Sequence, residues 1–167
     1  MRNLAVAILG LLPALAGAQA SSPAVPSKGW EFARWGMSPE QLRAASHGSV
    51  PAGNPGSDLM SRKYSMGKFK FKVVFDYEPP RDDPGNSDLK ALKLDAVLLN
   101  LDLGSGTCAE LTTYLKRIYG KPDQTSASGP AGYFWHNIKL GDDIQYSTWN
   151  EYKGCSVMYT PLSAHNQ

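Results

Sequence analysis

Residues 68–77, KFKFKVVFDY, set Phe69, Phe71, Val73, Phe75 and Tyr77 on one alternation phase and Lys68, Lys70, Lys72 and Asp76 on the other. Successive side chains of a strand point to opposite faces, so the stretch predicts a strand with one buried and one wet face. Such a strand belongs in an antiparallel sheet covered on one side. SRKYSM precedes it, and LKALKLDAVLLNLDL follows the turn-rich PPRDDPGNSD. In that long run the apolar phase shifts from Leu92 and Leu94 to Val97, Leu99, Leu101 and Leu103, which predicts a bulge or break near Asp95. Three more strand-like stretches come later, GYFWHNIKL, DIQYSTWNEY and CSVMYT, with Gly141 and Gly154 suited to the turns between them.

Two helices are announced by their caps. In WGMSPEQL, Ser38 suits the N-cap, Pro39 the first helical position and Gln41 the answering position of a capping box, with Met37 and Leu42 placed as a hydrophobic staple. His47-Gly48 ends that helix. Helix initiation thus accounts for Trp35-Gly36-Met37 without a ligand. Thr107 and Glu110 open a second helix, with Cys108, Leu111, Leu115 and Ile118 on one stripe and Gly120 with Pro122 behind. Helix then three strands, twice, predicts an α+β fold of two helix-plus-three-strand units, about residues 30–103 and 104–161, with antiparallel sheet and both helices packed on one face.

The first twenty residues, MRNLAVAILGLLPALAGAQA, place Arg2 ahead of an apolar run and end on Ala18-Gln19-Ala20, which reads as a secretory signal cut after Ala20. The run is shorter than the roughly 20 residues of a membrane span, and Ser21, not a lipid-accepting Cys, follows. Residues 21–29 read as a flexible leader, 30–161 as a single domain and 162–167 as a tail. Seventeen Lys and Arg against 15 Asp and Glu lack the basic excess that nucleic acid or anionic lipid favours. The expectation is a periplasmic or secreted chain without a stable membrane anchor or a nucleic-acid partner. In an oxidising compartment Cys108 and Cys155 are expected to form a disulfide. The alternative is a reactive thiol at Cys108, in the first turn of the second helix.

The element order, with G-M-S-P-E-Q-L opening one half and Y-G-K-P-D closing the second helix, resembles the tandem α-β-β-β proteins of the bacterial envelope. These include the SmpA/OmlA-type outer-membrane assembly proteins and the secreted β-lactamase-inhibitor proteins. The W-G-M-S-P-E segment also looks like a motif of uncharacterised exported bacterial proteins. The resemblance implies a binding or adaptor role, played by a sheet surface presented to another protein. The chain lacks the lipidation cysteine of the assembly proteins, and its one possible bridge differs from the two-disulfide pattern of the inhibitors, so no partner or binding residue carries over.

Motifs for chemistry are sparse. Gly104-Ser105-Gly106-Thr107-Cys108-Ala109 spells G-x-G-x-x-A, with Asp123 about 20 residues on, as a dinucleotide site asks. Glu110 at the helix start would repel a pyrophosphate, however, and QTSASGPAG reads as loop where a parallel strand should follow. His47, His136 and His165 show no metal-ligand spacing. Asp82, Asp83, Asn86 and Asp88 could gather round calcium, but Pro84-Gly85-Asn86 explains that loop as turns. Asp142-Asp143 reads as a hairpin tip. His136 is the one base available for a hydrolase. No cofactor is indicated.

Aromatic residues carry the functional expectation. Tyr133, Phe134, Trp135, Tyr146, Trp149, Tyr152 and Tyr159 occupy both alternation phases, so a core on one face leaves some exposed. Trp and Tyr dominate binding energy at interfaces. The sequence therefore points to an exported protein-binding or adaptor module of the envelope, with Tyr146, Trp149, Trp135 and Tyr152 as candidate contact residues and another envelope or extracellular protein as partner. A small apolar ligand between helix and sheet, or a hydrolase built on His136, are the alternatives. A two-sided core is the competing explanation of the aromatics, and a solvated face or edge protection that of Lys68, Lys70 and Lys72.

Overall fold

The computed structural model describes residues 29–51, 61–80, 82–85, 88, 90–126, 132–137, 139, 141–149 and 154–162. The expected signal, residues 21–28 of the leader, the end of the tail, Asn86, Tyr152 and His165 lie outside them. The described chain forms helix α1 (Pro39–Ala45), strands β1 (Ser61–Met66), β2 (Phe69–Glu78) and β3 (Lys93–Leu101), and a 3-10 turn (Leu103–Ser105). Helix α2 (Cys108–Tyr119) follows, then β4 (Gln124–Ser126), β5 (Gly132–Asn137), β6 (Asp142–Trp149) and β7 (Gly154–Pro161). All seven strands join one antiparallel sheet in the order β1-β2-β3-β7-β6-β5-β4, an α+β architecture. The first half has the expected helix and three strands, but α2 is followed by four strands, not three. The strand that the sequence pattern hides is β4. Its Gln-Thr-Ser has no apolar alternation, because it pairs only with β5 and is exposed along most of its length.

Local chemistry sets the helix ends. Ser38 Oγ accepts from the Gln41 amide and Gln41 Oε1 from the Ser38 amide, closing the capping box ahead of Pro39. After α1, His47 and Gly48 both turn left-handed, at φ 50° and 80°. Thr107 and Glu110 form the same reciprocal cap on α2, and Gly120 ends it at φ 84°. The buried line of α2 departs from the predicted stripe in its last turn. Ile118 is 43% exposed, while Tyr119 turns inward, its hydroxyl 2.8 Å from that of Tyr159.

The β2 alternation holds. Phe69, Phe71, Val73 and Phe75 are buried, and Lys70, Lys72 and Asp76 are exposed. The irregularity expected near Asp95 is a bulge. Asp76 pairs with Ala96 and Tyr77 with Leu94, which leaves Asp95 as the extra residue. Cross-strand partners share a face, so the register assigns Phe71, Val73 and Phe75 to the side of Leu101, Leu99, Val97, Val157, Tyr159, Ile144, Tyr146 and Trp135. These form one buried cluster with Leu42 of α1, Leu111 and Leu115 of α2, and Trp30, Ala33 and Val50.

Residues 29–37 bind to the sheet as well as leading into α1. β7 pairs with β3 only over Val97–Asn100, and beyond it the Gly36 amide donates to the Leu94 carbonyl while the Leu94 amide donates to the Met37 carbonyl, each at 2.9 Å. Cys108 and Cys155 are disulfide-bonded with Cα atoms 5.8 Å apart, which ties the first residue of α2 to β7 and rules out a free thiol at Cys108. Among the described residues no helix is long and apolar enough to cross a membrane.

Candidate functional site

The aromatic candidates separate by phase. Tyr146 and Trp135 lie on the helix-covered face at 1% and 3% exposure. The Tyr146 hydroxyl donates to the Cys108 carbonyl at 3.0 Å and the Trp135 indole to the Gly120 carbonyl at 3.1 Å. Both are core residues holding the ends of α2, so burial removes them from a contact surface. Trp149 falls on the opposite phase and is 39% exposed. Tyr152 lies outside the described residues.

The opposite face of the sheet is where the described helices do not pack. Register aligns Val74, Leu98, Met158, Gln145 and Phe134 in one row crossing β2, β3, β7, β6 and β5, all half-buried. The next row is polar, comprising Lys63, Lys72, Asn100, Ser156 and Ser147. Ala96, on this face, is buried but stands outside the main cluster. This surface combines a central apolar line, cations at the β1–β2 end and an exposed indole on β6. Sequence reasoning missed it because none of its strands is apolar on this phase over more than a residue or two; the line exists only across strands.

The lysines also sort differently from the sequence pattern. Lys68 sits beside the tight turn at Gly67 and pairs with Glu110 of α2 at 2.5 Å. With the Thr107 cap, that contact lowers the Glu110 pKa to about 2, the Lys68 hydrogen bond being the larger cause. Lys70 and Lys72 lie on the open face of β2, one strand in from the edge, and Lys63 on β1 is directly opposite Lys72. A hollow of about 760 Å³ at this corner is bordered by Lys63, Ser65, Lys70, Lys72 and Asp102.

Asp142-Asp143 is not a solvated hairpin tip. Both residues open β6. Asp142 is 2% exposed and accepts the Trp35 indole N–H at 2.8 Å. Burial raises its pKa, against the lowering effect of that hydrogen bond. Asp143 Oδ1 is 2.6 Å from His136 Nδ1 on the adjacent strand. An acid-imidazole pair can orient a base, and the disulfide removes both cysteines as nucleophiles beside it.

The G-x-G-x-x-A stretch is a strand-to-helix passage in an antiparallel sheet and lacks the parallel βαβ unit of a dinucleotide fold. A Cβ on Gly106 would come within 2.7 Å of the Phe69 ring, so packing accounts for that glycine. Of the proposed calcium loop, Asp83 and Asp88 shape turns, the Asp83 amide donating to the Pro80 carbonyl and the Lys90 amide to Asp88. No group of three or more His, Cys, Asp or Glu side chains is placed to hold a metal among the described residues. Between α2 and the sheet Leu99, Leu111, Leu115 and Val157 are fully buried, and a hollow of about 510 Å³ opens at the margin of that layer, bordered by Lys68 and Phe69 on one side and Glu110, Thr113 and Tyr114 on the other.

No family model matches the chain, and no curated protein does. A solved structure of a DUF4309 family protein (YjgB) from Bacillus subtilis subsp. subtilis str. 168 aligns over 75% of this chain and 78% of its own, at 9% identity and a TM-score of 0.40.

Proposed function

We propose that this is an exported protein-binding module of the bacterial envelope, and that the sheet face opposite the helices is its contact surface. The observation that carries the reading is the row Val74, Leu98, Met158 and Phe134, four apolar side chains spread over four strands on the side away from the buried cluster. Apolar surface gathered on one face and rimmed by charge is the composition of a recognition patch. The signal-like first twenty residues and the disulfide favour export to an oxidising compartment. The resemblance to tandem α-β-β-β envelope proteins fits the same role, with the two halves as repeated units. Binding here is assigned to Leu98 and Met158, with exposed Trp149 at the margin, in place of the buried Tyr146 and Trp135.

The test is a photo-crosslinking amino acid at Leu98 or Met158 in the exporting cell, with Thr113 on the outer side of α2 as control. A discrete protein adduct from either sheet position and none from Thr113 is expected. Adducts no more frequent at Leu98 and Met158 than at Thr113 would reject the surface.

A further inference from the structure

Edge protection explains a lysine on an outermost strand, because a charge there deters another strand from pairing. It accounts for Lys63. Lys70 and Lys72 lie on β2, which is hydrogen-bonded on both sides, so they guard no edge. Lys63 and Lys72 face each other directly across the β1–β2 pair, an arrangement of like charges that destabilises a sheet. The described chain does little to relieve it. Lys68 nearby has Glu110, and Arg62 on the other face has Glu31, but Lys63, Lys70 and Lys72 pair with no carboxylate among the described residues. Asp102, the acid bordering the same hollow, accepts the Gly104 amide at 3.0 Å as the cap of the 3-10 turn.

Three lysines gathered on one face, two of them directly opposed, call for an anion from outside the described chain. The apolar row fixes what kind. Val74 follows Lys72 on the same face of β2, and Leu98 is its partner on β3, so whatever neutralises the lysines meets aliphatic surface one row away. We infer that the partner presents an acidic polypeptide segment whose carboxylates seat on Lys63, Lys70 and Lys72 while its neighbouring apolar side chains rest on Val74 and Leu98. This rests on the binding-face reading above and names the chemistry of the partner. An acidic polysaccharide would use the lysines but has no side chains for Val74 and Leu98. Charge complementarity at such a rim acts on encounter rate and partner choice, and salt screens it.

The exported chain is titrated by amide-resolved NMR with a capped hexapeptide of alternating Glu and Leu. Comparison probes are the Lys-Leu and Glu-Ser hexapeptides and a six-unit glucuronate oligosaccharide. The Glu-Leu peptide is expected to bind most tightly, to shift amides around Lys72, Val74 and Leu98, and to weaken as salt rises from about 0.05 to about 0.3 M. The double variant K70E/K72E should reduce its affinity by about tenfold or more. Lys63→Gln guards against a folding artefact: easing the repulsion should raise the unfolding midpoint while weakening the peptide. Equal affinity for Glu-Ser or glucuronate would make this a general polyanion surface and overturn the inference, as would absent binding or affinity indifferent to the lysine changes. If crosslinking through Leu98 persists in that case, the contact face stands and only its acidic partner is lost.

Discussion

Reducing the Cys108–Cys155 disulfide removes one covalent link and no side chain, so its effect can be worked from chain length. The two residues are 47 apart in sequence. Closing a loop of that length removes about 4 kcal/mol of conformational freedom from the unfolded chain in the loop-entropy treatment. The native state gives little reason for a larger loss. The start of α2 is also held by the Tyr146 hydroxyl on the Cys108 carbonyl, and Leu111 and Leu115 are fully buried beneath the helix. At roughly 2–4 °C per kcal/mol for a domain near this size, the reduced protein should melt roughly 8–16 °C below the oxidised one. Differential scanning calorimetry of the same preparation with and without reductant measures it, and near-UV circular dichroism below the transition reports whether packing survives. Coincident melting of the two forms would refute the loop argument, and native aromatic signals lost on reduction alone would show that the bridge maintains the folded packing itself.

Two other perturbations follow from the charges. Glu110→Gln keeps the capping box, since Gln also fits that position, and removes the attraction to Lys68. Because the folded-state pKa is depressed from 4.5 to about 2, the contribution is present above the unfolded value and lost as pH falls through that window, so the melting curves of wild type and variant should converge towards pH 2 and also at high salt. Trp35→Phe strips the buried Asp142 carboxylate of its indole donor and should cost about 1–3 kcal/mol by urea unfolding. Asp142→Asn keeps an acceptor without the charge. With the folded pKa raised by burial, the wild type loses stability as pH rises from the unfolded value through the folded one, and the Asn variant should lack that decline.

What the sequence discloses here is whatever repeats at short range. The alternation of β2, the Ser38 and Thr107 caps and the phase slip at Asp95 are each written within a few residues, and the fold keeps all of them. Features that depend on which strands become neighbours stayed hidden. Tyr146 and Trp149 fall on opposite phases of β6, so one strand already says they cannot share a face. It does not say which is covered, and that follows from Tyr146 opposing Val157 in the packed centre. Two adjacent aspartates look like a turn because a lone carboxylate is costly to bury, and the donor that makes Asp142 tolerable is 107 residues away.

The Trp35-Gly36-Met37 segment shows how a sufficient local explanation can still be incomplete. Helix initiation accounts for Ser38, Pro39 and Gln41, and it leaves Trp35 and Gly36 as mere approach. In the fold they finish the sheet. β7 runs beside β3 only as far as the Val97–Tyr159 pair, so Leu94 on that side would otherwise present a bare amide and carbonyl in a buried region. Gly36 supplies the donor for that carbonyl and Met37 the acceptor for that amide, and Gly36 does so at φ 79°, a conformation that costs glycine little. The turn also aims the Trp35 indole at Asp142, the first residue of β6 and the partner of Pro161 at the end of β7. Two backbone bonds to the first half of the chain and one side-chain bond to the second therefore join at the point where the central strand pair parts. A short helix such as α1 has little stability of its own, and this three-residue junction holds its entrance in place.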